Sequence, residues 1–475
     1  MAASSRRLIV VIWGYGKHGK ALIWHGHSVR EGAAALGWVR APFPLQLAKP
    51  CRAIHAYLQR LPKRQEDHRL AWRESVSTRL YTTFVAPMVV QTDAETAHNL
   101  TLRAGELLQA CRLLLEPSTA NLPLDWLLRP AAARPTPPGP SLRQSLFGGR
   151  LTFDMPVGIA AGFDKNAALV PLYRLGFMEL GFAEVGSISA EPAAGNEKPR
   201  CWRIPSDQAV INCMGLNNEG AACVAARLKT FSRADGSAPI GINIAKTHSP
   251  AIVGPAAVDD FVQSFTTLAP LADFVVINVS CPNTAEGKTF EEPSALADLL
   301  SAVARQKKEM KWEKAPPPVL VKLMATPDSE DGRACQRELL RVIEDANVVD
   351  GLVISNTIKN PEAQLSSSGR QAADAIGKGG VSGRVIHARS VAAIRSAFEA
   401  TGGRLPIIGV GGTDSAEAAY EKIRAGASLV EVYTGLVYKG PGLLTDINTG
   451  LRRRLQRDGF SCIQEAVGAD VRKAH

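Results

Sequence analysis

Polar residues of a narrow kind follow short apolar runs through most of the second part of this 475-residue chain. Asp164 and Lys165 come just after VGIAAGF, with Ala160, Ala161 and Gly162 inside it. Ser187 lies near the end of FAEVGSI and Asn243 near the end of APIGINI. Asn278, Ser280 and Cys281 close FVVINVSC. Lys322 nearly ends PVLVKL, and Ser355, Asn356 and Thr357 end or follow GLVIS. Gly411 and Gly412 end PIIGVGG, and Tyr433 and Thr434 stand near the end of LVEVYTG. An amide side chain both donates and accepts hydrogen bonds, so asparagines gathered round one opening suit a flat heterocycle with alternating N–H and C=O edges. Lys322 is a fixed cation that would suit a ring gaining negative charge on reduction, as a flavin does. Cys281 offers a base or nucleophile where electropositive neighbours favour its thiolate, and Lys165 and Lys322 are candidate neighbours. Plainer readings stand beside these. A lone asparagine can cap the next helix, a lysine can snorkel from a strand end, and a free cysteine is commonly a small buried hydrophobe.

Two glycine-rich stretches, GKGGVSG around Gly383 and IIGVGG ending at Gly412, add an anion site. Glycine lets the backbone approach a phosphate, and helix N-termini favour its charge. Turns use glycine too, so either stretch alone is weak; the pair near the last two apolar runs predicts a phosphate-bearing cofactor.

The apolar runs supply the elements. They fall at 157–163, 182–188, 238–244, 274–280, 318–323, 351–355, 406–412 and 429–435, with helix-like stretches such as SALADLLSAVARQKKEM between them. Near-continuous apolar strands signify a parallel sheet covered by helices. Eight such units predict an α/β protein built as a (β/α)8 TIM barrel, whose chemistry sits at the C-terminal ends of the strands. A doubly wound open sheet is the rival, but its usual early GxGxxG loop is missing.

Four regions separate along the chain. Residues 1–75 form a basic leader in which Glu31 is the only acid before Arg64. An Arg-rich, acid-poor start resembles an organelle transit peptide or a membrane-surface arm. It lacks the aromatic-interleaved module expected of a nucleic-acid binder, and no nucleic-acid partner is expected. Residues 76–116 read as a small N-terminal helical domain of two helices, with Thr92 or Asp93 capping the second. Residues 117–145 are a Pro/Ala-rich linker, and residues 146–475 the barrel. No run approaches the roughly 18 apolar residues of a membrane span, and no CxxC pair suggests a metal ribbon; no metal is expected.

With these motifs in hand, the chain resembles the dihydroorotate dehydrogenases. The matching stretches are MPVGIAAGFDKN, EVGSISAEPAAGNEKPR, RIPSDQAVINCMGLNNEG, GINIAKT, VVINVSCPNT, VLVKL, ISNT, GKGGVSG, IIGVGG and EKIRAGASLVEVYTGLVYKGP, covering about residues 150–445. The leader, DAETAHNL and AVGADVR look like the membrane-associated, quinone-using class. That class usually has serine where Cys281 stands and phenylalanine where Leu216 stands; both departures look like the soluble class, which uses a cysteine base.

The resemblance implies FMN-dependent oxidation of dihydroorotate to orotate, with ubiquinone as acceptor and fumarate as the alternative. Cys281 is then the base, Lys322 the cation beside reduced flavin, and Lys165 the partner of the substrate carboxylate. Asn212, Met214, Gly215, Leu216, Asn278, Asn283, Asn356 and Thr357 surround the pyrimidine. Ala160, Ala161, Gly162, Asp164, Ser187, Asn212, Asn243, Asn278, Lys322 and Ser355 contact the flavin, and Gly383, Gly412, Tyr433 and Thr434 its phosphate. His98, Arg203 and Tyr433 line a quinone tunnel between the N-terminal helices, which meet a membrane surface. The implied location is the mitochondrial inner membrane. A 2-hydroxy-acid oxidase is a second enzyme reading, but it needs a histidine base, and only His248 follows a predicted strand closely. A colourless scaffold whose basic arm binds a membrane or nucleic acid is a third.

Overall fold

A computed structural model describes residues 76–114, 139–176, 179–231, 237–280, 290–326, 329–359 and 364–472, together with three short strands within residues 8–39. The chain divides into two units, Met1–Ala71 and Trp72–His475. In the first, β1 (Leu8–Ile12) pairs antiparallel with β2 (Ala21–Gly26), which pairs with β3 (Trp38–Val39). The β-branched run LIVVI, far shorter than a membrane span, forms β1.

The second unit opens with helical turns at Val76–Leu80 and Ala86–Gln91 joined through a π-helical turn, then a long helix at Ala94–Leu114. Asp93 caps the long helix: its carboxylate accepts the Thr96 N–H at 2.8 Å, satisfying one of the donors a helix start leaves over. Specific polar contacts dock this segment on the rest of the unit. Glu95 takes two hydrogen bonds from the Arg200 guanidinium, at 2.8 and 3.2 Å. Arg203 donates to the Thr92 carbonyl at 2.6 Å, and the Tyr81 hydroxyl donates to the Val437 carbonyl at 2.8 Å.

A hairpin of β4 (Gln144–Leu146) and β5 (Leu151–Phe153) precedes the first barrel strands, β6 (Val157–Ile159) and β7 (Phe182–Ile188). Two shorter strands follow, β8 (Cys201–Ile204) and β9 (Ala209–Asn212). The barrel continues with β10 (Ile240–Ile244), β11 (Phe274–Asn278), β12 (Val319–Leu323) and β13 (Gly351–Ile354). After β14 (Ile358–Lys359) and β15 (Gly380–Gly383) it closes with β16 (Ile407–Gly409) and β17 (Ala427–Val432). The ring order is β10-β11-β12-β13-β16-β17-β6-β7, all parallel. Each of the eight apolar runs in the sequence contributes one barrel strand, so the open-sheet alternative falls away.

The barrel is packed, not hollow. Phe153, Phe182 and Phe274 meet edge-on or tilted inside it, with Val276, Leu320, Val353, Ile408 and Leu429 around them. The hairpin supplies Phe147 and Phe153 to this group and so plugs one end. Leu142 and Gln144, in the stretch expected to be a linker, are buried, Leu142 in the larger surrounding core. Burying aromatic side chains of this size contributes roughly 1.5–3 kcal/mol each, which fixes the strand ends at the other, open end. There β14, β15, β9 and β8 form a separate antiparallel sheet, contributed by two different loops that follow barrel strands.

Candidate active site

A cavity of about 570 Å³ lies at the C-terminal ends of the barrel strands, walled on one side by the N-terminal helices. Most of the residues singled out from the sequence line it: Ala160, Ala161, Gly162, Lys165, Ser187, Asn212, Met214, Gly215, Leu216, Asn278, Lys322, Ser355, Asn356, Thr357, Gly383, Gly412, Tyr433 and Thr434, with His98 and Arg203 on the helical side. Cys281 and Asn283 lie outside the described residues. Asp164 and Asn243 sit behind the lining. Asp164 accepts the backbone N–H groups of Ala168 and Leu169 at 2.9 and 2.8 Å, and so organises the turn that carries Lys165.

Strand register brings the polar side chains together. Asn278 and Lys322 are paired neighbours on β11 and β12. Hydrogen bonds run round the rim in one chain. The Asn356 amide donates to Ser280 Oγ at 2.9 Å, and Ser280 donates to Asn278 Oδ1 at 3.0 Å. Asn278 donates to Ser187 Oγ at 3.0 Å and to Asn243 Oδ1 at 3.3 Å, and Asn243 donates to Glu184 Oε1 at 2.7 Å. Lys322 Nζ completes it, donating to the same Glu184 oxygen at 3.1 Å. Such a network holds each amide in one orientation, as a rim reading a planar ligand requires. Burial alone would push the Lys322 ammonium down. The ion pair with Glu184 outweighs that and holds it above its ordinary value, so it stays a cation. Lys165 Nζ donates to Asn217 Oδ1 at 2.6 Å.

The sequence reading missed Glu184, Glu431 and Asn217. A signal for the first two was available, since each is a lone acid within a largely apolar run, FAEVGSI and LVEVYTG.

On the far side of the cavity the two glycine-rich stretches converge. A side chain at Gly412 would put Cβ 2.7–2.9 Å from His387 atoms, and φ there is +70°. At Gly383 (φ +107°) Cβ would lie 2.5 Å from the Gln208 carbonyl. Both positions therefore demand glycine. Ser382 and Thr434 hydroxyls meet at 2.9 Å beside them. The residues present fit a flavin with a phosphate tail: bare backbone and hydroxyls at one end, a buried cation and ordered amides at the other. Gly412→Ala is expected to weaken cofactor retention at least about tenfold, from backbone strain of order 1–3 kcal/mol. Titrating the stripped protein with a phosphate-bearing flavin and following flavin fluorescence reads this directly.

The helical wall is largely apolar. His98 packs edge-on against Phe163, ring centroids 5.2 Å apart, and lies nearly parallel to Tyr433 at 6.4 Å. Burial, helped by the Lys165 charge, pushes His98 down to about 4, so this wall carries a neutral imidazole near pH 7. Arg203 also ties down the turn between the N-terminal helices through Thr92, a structural duty beyond the tunnel role expected of it.

Comparison with known proteins gives a consistent answer. The family model for dihydroorotate dehydrogenase matches residues 141–455. A dihydroorotate dehydrogenase (quinone) of Deinococcus deserti is 40% identical over 82% of this chain and its own whole length. One of Haloarcula marismortui is 43% identical over 67% of this chain and 84% of its own. Among solved structures, a DHODH of Eimeria tenella in complex with ferulenol is similar at 29% identity and a TM-score of 0.65, covering 80% of this chain and 96% of that one. These two curated relatives, and others from Deinococcus radiodurans and Natronomonas pharaonis, come from bacteria and archaea, which have no mitochondria. This overturns the mitochondrial location expected from the basic leader: positive charge at a chain start is not specific to an import signal.

Proposed function

The chain belongs to the dihydroorotate dehydrogenase family, and we propose from this membership and from the site that it oxidises dihydroorotate to orotate in pyrimidine biosynthesis, with FMN as its flavin and a quinone as the electron acceptor. The observation that carries the reading is a single cavity lined by Lys322, the amide rim, the two glycine positions and His98.

Gly383, Gly412, Tyr433 and Thr434 hold the cofactor phosphate. Lys322 stands against the ring. Bound FMN supplies a two-electron acceptor for the hydride on the carboxylate-bearing carbon. Lys165 pairs with that carboxylate and orients the substrate. Asn212, Asn278, Asn283 and Asn356, with Thr357, match the ring N–H and C=O edges; Met214, Gly215 and Leu216 pack beside it. Cys281 takes the proton from the carbon alpha to the ring carbonyl, so that proton and hydride leave adjacent carbons and a double bond forms between them.

The acceptor is a quinone: apolar side chains of the N-terminal helices, with His98 and Tyr433, line one wall of the same cavity, a surface suited to an apolar acceptor. An acceptor panel tests this. With dihydroorotate as donor, turnover with a ubiquinone analogue is expected, and little with fumarate or NAD. Rapid turnover with fumarate and none with quinone would overturn the assignment.

The N-terminal helices rest on a membrane surface. Met88, Leu100 and Leu107 are each more than half exposed there, and no described helix is long and apolar enough to cross a membrane. Apolar side chains on helices at a cavity mouth suit shallow insertion. The protein is expected to float with liposomes, and the triple variant Met88→Ser, Leu100→Ser, Leu107→Ser to remain in the dense fraction.

A further inference from the structure

Glu431 is the penultimate residue of β17 and lines the cavity. It is completely buried, and neither carboxyl oxygen has a hydrogen-bond partner among the described residues. Its carboxyl lies against that of Glu184 on β7, which is also completely buried. Glu184 uses its two oxygens unequally. Oε1 accepts from both Asn243 and Lys322, whereas Oε2 has no partner. Two acids therefore face each other with unfilled acceptors and no donor between them. Two adjacent buried carboxylates cannot both ionise at acceptable cost, and an orphaned buried acceptor costs free energy as well. One proton removes both difficulties.

We propose that Glu431 is a neutral carboxylic acid that donates its proton to Glu184 Oε2, and that it thereby serves as a positioning residue for Lys322. Glu184 then holds one negative charge, matched by Lys322, and the buried trio carries no net charge. Were Glu431 ionised, the trio would be net negative at the cavity floor. That would oppose the charge Lys322 is there to stabilise. Burial first, then the Glu184 charge, pushes the Glu431 carboxyl well above the carboxylate range against the pull of Lys322, in agreement with the geometry. The role in catalysis rests on the flavin reading above; the protonation state does not.

Infrared spectroscopy of the purified holoenzyme at neutral pH separates the two. A protonated-carboxyl C=O stretch, shifted in D2O, is expected in the wild type and absent from Glu431→Gln. Glu431→Leu, which removes the donor, is expected to slow flavin reduction by dihydroorotate about tenfold. Glu431→Gln, whose amide can still donate to Glu184, restores most of that rate. It also leaves the flavin midpoint potential where it was, because no charge is lost. No protonated-carboxyl band removed by Glu431→Gln, or a rise in the potential of that variant, would show an ionised Glu431 and overturn the proposal. So would equal slowing by Leu and Gln. A protein that carries the band but binds no flavin would instead sink the reading of the site and leave the acid in place.

Discussion

Cys281→Ala is expected to slow reduction of the flavin by dihydroorotate by roughly 10²–10⁴-fold, the range over which a positioned general base contributes. Binding of orotate should survive, because the thiol acts on the reacting proton and the amide rim holds the ring. Cys281→Ser discriminates further. A free thiol ionises near pH 8.5, far below an aliphatic hydroxyl. With cysteine as base, the rate rises with pH as the thiol gives up its proton. Serine has no such ionisation to follow, so its rate should be lower and its limb displaced to higher pH. Single-turnover flavin bleaching across pH measures both quantities. An unchanged rate and an unchanged profile in Cys281→Ser would remove Cys281 from the mechanism.

Lys322→Met is expected to have the largest combined effect on stability and chemistry. Lys322 is only 5% exposed and Glu184 fully buried, so removing the ammonium strands a carboxylate inside the barrel. Breaking a buried pair this way costs about 3–5 kcal/mol. The change also removes a preorganised cation, for which about 10²–10³-fold in rate is the usual order. A second substitution separates these effects. Glu184→Gln in the Lys322→Met background removes the stranded charge while keeping an acceptor for Asn243. The double variant should recover most of the lost stability and none of the lost rate. Chemical denaturation and single-turnover kinetics on the same preparations give the comparison. Recovery of both would mean that Lys322 is structural only.

The barrel was legible because parallel strands buried on both faces need unbroken apolar runs. FAEVGSI coincides with β7, and the other runs differ from their strands mainly at the ends, where chemistry replaces packing. VGIAAGF is the extreme case: only Val157–Ile159 is strand, and the rest turns towards the cavity. The site was legible for the same reason, since polar residues at the ends of apolar runs stand out. Less accessible was the sheet of β8, β9, β14 and β15. Its strands are two to four residues long and polar in part, so no period could develop. Glu184 and Glu431 are harder to read, because an acid inside an apolar run has no visible partner until the barrel brings a cation such as Lys322 from another strand beside it. The leader misled in a different way. Its charge was visible, but charge alone does not distinguish an imported chain from any other basic terminus.

The central claim is that Lys322, the amide rim and the glycine cradle serve one flavin that dihydroorotate reduces. Anaerobic mixing of the purified protein with dihydroorotate in a stopped-flow spectrophotometer tests it most directly. The account predicts a yellow protein whose flavin absorbance bleaches within one turnover and returns when a ubiquinone analogue is added. A colourless protein, or a flavin that stays oxidised in saturating dihydroorotate, would contradict it.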